Sequence, residues 1–98
     1  MSKPVSSLTA ADFEPLNGEN FTITAANGTL GVKLAEVRRL GTALREGGAF
    51  SLVFASAAGP ILAQGTYPLT HPSLGMAELF VVPLGPKGGE NLYQVIFT

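Results

Sequence analysis

From Asn20 onward the chain consists of short apolar stretches stopped by glycine, proline or asparagine, and no long helical segment separates them. Parallel neighbours in a sheet need crossovers of a dozen residues or more, usually helical, so these strands are expected to pair antiparallel. The expected fold class is all-β: a small antiparallel barrel or roll of about six strands with a short N-terminal helix. Closure is favoured because it hides edges that so apolar a chain would otherwise expose.

The opening SSLTAADFEPL offers Ser7 or Thr9 as a helix N-cap and a stop before Pro15, since the residue preceding proline is pushed out of the α region. This predicts a short helix over 8–16, with 1–7 flexible ahead of it and Leu8, Phe13 and Leu16 lidding one end of the β core. Asn27-Gly28, between two alternating runs, signals a hairpin. With those two residues at the centre of the turn, Ile23 faces Val32 and Phe21 faces Leu34, while Thr22 and Thr24 take the other face. The alternation breaks after Leu34, which places a bulge or strand end near Ala35–Glu36. Val37–Gly48, with Gly41 inside it and Gly47-Gly48 at its end, reads as a loop or one weak turn.

Phe50, Leu52 and Phe54 share a face of the next strand, and Ala58-Gly59-Pro60 turns the chain. A strand follows around Ile61–Leu69, where Pro68 marks either its end or an edge. His71–Gly75 is a tight connection. Met76–Val82 is the most apolar strand, with Met76, Glu78, Phe80 and Val82 on one face, Ala77, Leu79 and Val81 on the other, and both faces expected to be covered. A loop over Gly85–Glu90 leads to a last strand, Leu92–Phe97, in which Tyr93, Val95 and Phe97 align.

The 98 residues fit one domain, and 46% hydrophobic content argues against disorder. With 13% charged residues, the exterior must be covered by Ser, Thr and Gly or carry an apolar patch buried in an oligomer. A net charge of −1 and six scattered Lys/Arg disfavour a nucleic-acid partner. No apolar run approaches the ~18–20 residues that span a bilayer, and MSKPVSSLTAADF lacks the apolar core of a signal peptide, so the expected setting is cytoplasmic, without a membrane partner. The absence of cysteine removes disulfides, thiolate catalysis and Cys-type zinc sites.

His71 is the only histidine. Tyr67 lies upstream and Glu78 downstream, and a His71–Glu78 contact forms if their strands pair. A lone imidazole lacks both a metal ligand set and a paired nucleophile, so holding the turn through local backbone is the stronger reading. Glu78 sits on an apolar face, either near solvent at a strand end or buried against Arg38, Arg39 or Arg45 through a two-bond fork. Those arginines are half of the basic residues and offer a site for an anion or acidic partner, partly neutralised by Glu36 and Glu46. Gly85-Pro86-Lys87-Gly88-Gly89 lacks the phosphate-loop spacing. The candidate binding residues are thus Arg38, Arg39, Arg45, His71, Glu78 and Phe80, with no catalytic residue, metal or cofactor expected.

The segments FSLVF, GP, QGTYPLTHPSLGMAELFVVPLGP and YQVIF, with FEPLNGENFTI before them, resemble a family of small bacterial all-β domains of uncharacterised function. The resemblance implies assembly or interaction work in the company of phage-tail-collar-like proteins, and transfers no catalytic residue. Its motif positions, Gly65, Tyr67, His71, Pro72, Gly75, Glu78 and Pro83, are turn formers and strand residues. The expected function is a non-catalytic assembly or adaptor module acting through a protein partner or self-association. One alternative is a small-ligand barrel lined by Phe50, Phe54, Phe80, Tyr93 and Phe97, although in so small a barrel these rings more readily fill the core. Another is a hydrolytic enzyme using His71 and Glu78.

Overall fold

The computed structural model describes residues 8–26, 28–41, 49–57 and 61–97. Helix α1 (Ala10–Phe13) and a 3-10 turn (Glu14–Leu16) precede β1 (Asn20–Ala25), β2 (Gly28–Gly41), β3 (Ala49–Ala57), β4 (Gly65–His71), β5 (Gly75–Lys87) and β6 (Glu90–Phe97). The strands form a closed antiparallel barrel in the order β1-β2-β3-β6-β5-β4. Phe21, Ile23, Val32, Leu34, Phe50, Leu52, Phe54, Leu69, Ala77, Leu79, Val81, Tyr93, Val95 and Phe97 turn inward and are buried. Each strand supplies them at alternate positions, as the pleat requires.

The short helix forms as expected, capped at Thr9, whose backbone N–H donates to the Asp12 carboxylate at 2.9 Å. Pro15 does not stop the chain abruptly; it sits in the 3-10 turn, where its missing N–H costs no bond. The helix delivers Phe13, fully buried, into one end of the barrel. Its ring lies 6.4 Å from that of Phe21 and 5.9 Å from those of Phe50 and Phe97. Near the opposite end the segment Ile61–Gln64, expected to be strand, runs as irregular chain pinned by two tyrosines. The Leu62 N–H donates to the buried Tyr93 hydroxyl at 3.1 Å, and the Tyr67 hydroxyl donates to the Ala63 carbonyl at 2.6 Å.

The first hairpin pairs Phe21 with Val32, Ile23 with Leu30 and Ala25 with Gly28, two residues away from the register of a turn centred on Asn27-Gly28. Gly28 opens β2 with φ +143°, a backbone shape open to glycine, and Asn27 lies outside the described residues. An even slip leaves every side chain on its face, so the buried set is unchanged. The bulge falls between Leu34 and Glu36 as expected, but β2 does not end there. It continues as strand to Gly41, because the bulge resets the alternation and brings Val37 opposite the buried Leu52. Positions 37–41, expected to be loop or a weak turn, are thus strand, with Leu40 exposed. The expected features at 42–48 and 58–60 lie outside the described residues.

Pro68 stands inside β4 rather than at its end. β1 pairs β4 only at Leu69 and Thr70, so the proline falls where β4 has lost that neighbour, the edge position that a residue without an N–H can occupy. The expected loop over Gly85–Glu90 shrinks to Gly88-Gly89, with φ of +60° and +83°, the signature of a two-residue type I′ hairpin turn.

Replacing Phe13 with Ala is expected to cost about 3–5 kcal/mol, a large share of the stability of a domain this size, read from the urea unfolding midpoint. A loss below about 1 kcal/mol would show that the ring does not close the core.

Candidate functional site

His71 ends β4 with its ring turned inward, 4% exposed, and 4.7 Å from the ring of Phe21. Its Nδ1 accepts the Ser73 backbone N–H at 3.0 Å. The ring proton therefore resides on Nε2, which meets the Glu19 carboxylate at 2.7 Å. Both nitrogens are engaged, one by the turn 72–74 and one by the residue preceding β1. This arrangement holds the 71–75 turn against the start of β1, the turn-holding role expected of a histidine before proline. The His71–Glu78 contact does not form, because His71 points inward and pairs with Gly75, whereas Glu78 pairs with Pro68 and points outward.

Glu19 is the residue that sequence reasoning missed. Nothing in its neighbourhood marks it, and its partner is 52 positions away. Only the pairing of β1 with β4 at Thr22–Thr70 brings the two together.

Of the three arginines, the two among the described residues each stand beside a carboxylate. Arg39 forks onto Glu14, with Nε 3.0 Å from Oε2 and one terminal nitrogen 2.9 Å from Oε1. The hydrogen bonds to Glu14, and then its charge, raise the Arg39 pKa above its ordinary value, so the guanidinium stays charged. Arg38 points outward beside Glu36 at 3.4 Å, and Arg45 lies outside the described residues. Arg39 thus makes its fork with Glu14 rather than with Glu78, and among the described residues Glu78 has no ion-pair partner. Among those residues no three His, Asp or Glu side chains gather as metal ligands.

Phe80 corrects another expectation: it does not line the interior but is 51% exposed on the outer face of β5. The face shared by Met76, Glu78, Phe80 and Val82 is therefore not covered by the rest of the barrel. Met76 is 45% exposed, and Ile96 on β6, also facing out, is 52% exposed. Continuing the β5–β6 register beyond its last pair, Val82–Gln94, brings Phe80 opposite Ile96.

The molecule is a closed six-stranded antiparallel β-barrel domain plugged by a short N-terminal helix. It belongs to a family described as a domain of unknown function (DUF6916), whose model matches residues 8–97. No curated protein and no solved structure matches the chain. No helix among the described residues is long and apolar enough to cross a membrane.

Glu19→Ala leaves the buried His71 Nε2–H without its acceptor and is expected to cost about 1–2 kcal/mol, whereas Glu78→Ala should stay within about 0.5 kcal/mol of wild type. Long-range 1H–15N NMR of the single histidine checks the tautomer, and a proton on Nδ1 would contradict the geometry.

Proposed function

We propose that this domain is a non-catalytic assembly or adaptor module that acts through protein–protein contact on the outer face of β5 and β6. The observation that carries this reading is the exposure of Phe80, Ile96 and Met76 on one side of a barrel whose interior is already filled. Aromatic residues and Met are enriched, and charged residues depleted, at the centres of protein interfaces. The resemblance to small bacterial domains that accompany phage-tail-collar-like proteins points in the same direction, towards assembly.

The ring packing weighs against the ligand-barrel alternative. Phe50 and Phe97 stack at 4.3 Å, Phe21 meets Phe54 edge-on at 5.3 Å, and Phe13 caps them. Hydrolytic chemistry finds little support at His71, whose two nitrogens are both occupied, or at Glu78 on the opposite side of the sheet.

The test compares wild type with Phe80→Thr/Ile96→Thr, which keeps β-forming side chains while removing the apolar surface. Association of the wild type, with itself or with a co-purified protein, should be lost in the variant at unchanged thermal stability. If wild type and variant recover the same proteins and have the same mass in native mass spectrometry, this face is not the working surface.

A further inference from the structure

The His71 ring makes two bonds of different kinds. Its Nδ1 accepts the Ser73 N–H at 3.0 Å, and its Nε2 meets the Glu19 carboxylate at 2.7 Å. Only the neutral ring with its proton on Nε2 can make both, because a further proton turns Nδ1 into a donor aimed at another donor. The ring is buried, and a donor left there without an acceptor is costly. Ser73 itself is exposed, so its N–H has water to turn to once it is let go.

We infer that the turn 72–74 is a latch released by acid: the neutral His71 ring holds it, and a proton on Nδ1 lets it go while Nε2–H keeps its bond to Glu19. The charged ring exchanges one partner for a stronger hold on the other, since a bond between two ions exceeds one between a neutral donor and an ion. The turn is therefore released without the ring leaving its place against Phe21. Leu74 gives the latch its consequence. It lies in the turn, half-buried against the core, so release frees an apolar side chain two residues from the exposed Met76. This device does not depend on what the outer face of β5 binds.

Glu19 is the titratable group in contact with the ring among the described residues. β1 presents Phe21, β5 presents Gly75, and the turn is Pro72, Ser73 and Leu74, none of them charged. The other charges nearby are directed elsewhere: Lys33 is exposed on β2 opposite Asn20, Glu78 points outward from β5, Asp12 accepts the Thr9 N–H and Glu14 holds Arg39. A bond that only the neutral ring makes is present above the pH at which Nδ1 takes its proton and is lost as pH falls through it.

An NMR titration from about pH 8 to about pH 4.5, which spans the ordinary range of histidine, tests this. Ring 15N shifts report the proton on Nδ1, and amide exchange, measured against the rate of an unstructured chain at the same pH, reports the bond to Ser73. Protection of the Ser73 amide should fall about fivefold in step with the ring, the loss that one ordinary hydrogen bond delivers. Ile23 and Leu69, paired between β1 and β4, should keep theirs. In Glu19→Gln, which keeps an oxygen acceptor for Nε2–H but does not titrate, the Ser73 step should still coincide with that of the ring. In His71→Asn, whose side-chain oxygen accepts a backbone N–H two residues on without titrating, Ser73 should be insensitive to pH over the same range. A Ser73 amide that keeps its protection while the ring titrates overturns the latch, as does a ring that stays neutral until Ile23 and Leu69 lose protection. A Ser73 step that disappears in Glu19→Gln belongs to the carboxylate and overturns it too.

Discussion

The Phe13 ring touches rings from β1, β3 and β6, and the barrel depends on that contact more than on any other. A six-stranded barrel has an interior that side chains must fill from the walls and from the ends. Here the walls supply Phe21, Phe50 and Phe97, stacked towards one end, and the four-residue helix carries Phe13 onto them. So short a helix has no stability of its own, since a single turn barely offsets the cost of nucleation. The apolar end of the barrel holds it, and it seals that end in return.

The same N-terminal stretch protects an edge. The Leu34 N–H donates to the Glu19 carbonyl at 3.0 Å, and the Gly18 N–H donates to the Leu34 carbonyl at 2.8 Å. Glu14 then meets Arg39 further along β2, where continuation of the β1–β2 pairing would set them opposite each other. The 3-10 turn thus occupies the place where β1 would have extended, covering a β2 edge that would otherwise face water unpaired. The Arg39–Glu14 fork is exposed at both partners, so its contribution is positional more than energetic.

Alternation made the inner face legible in the sequence: Phe21, Ile23, Phe50, Leu52, Phe54, Tyr93, Val95 and Phe97 are all buried where period-two reading put them. Features that alternation cannot see were harder to read. The slip in the first hairpin is even, so the face pattern is the same in both registers, and only the backbone pairing itself tells them apart. The continuation of β2 past its bulge was hidden because the extra residue breaks the period that identifies a strand. For β5, the alternation gave two apolar faces and could not say which met the core; closure of the barrel decided it. His71 was readable as a turn holder from Pro72 beside it, but Glu19 was not, because sequence pattern is blind to contacts made only through sheet closure. Of the candidate binding residues, Phe80 and Glu78 share the outer face of β5, while Arg38, Arg39 and His71 are each engaged elsewhere.

The place of β6 in the sheet order has a consequence for how the chain reaches its native state. Strand β6 lies between β3 and β5, so neither has its full complement of neighbours until β6 is made. Phe97 must also be present before Phe13 and Phe50 can complete their cluster, which joins positions at the two extremes of the described chain. Contacts so distant in sequence must overcome loop-closure entropy before they return any stability, a topology that folds slowly. During synthesis the early hairpin can form alone, but the core cannot consolidate until β6 emerges, leaving β3 and β5 exposed to chaperones or to premature pairing with other chains in the interval.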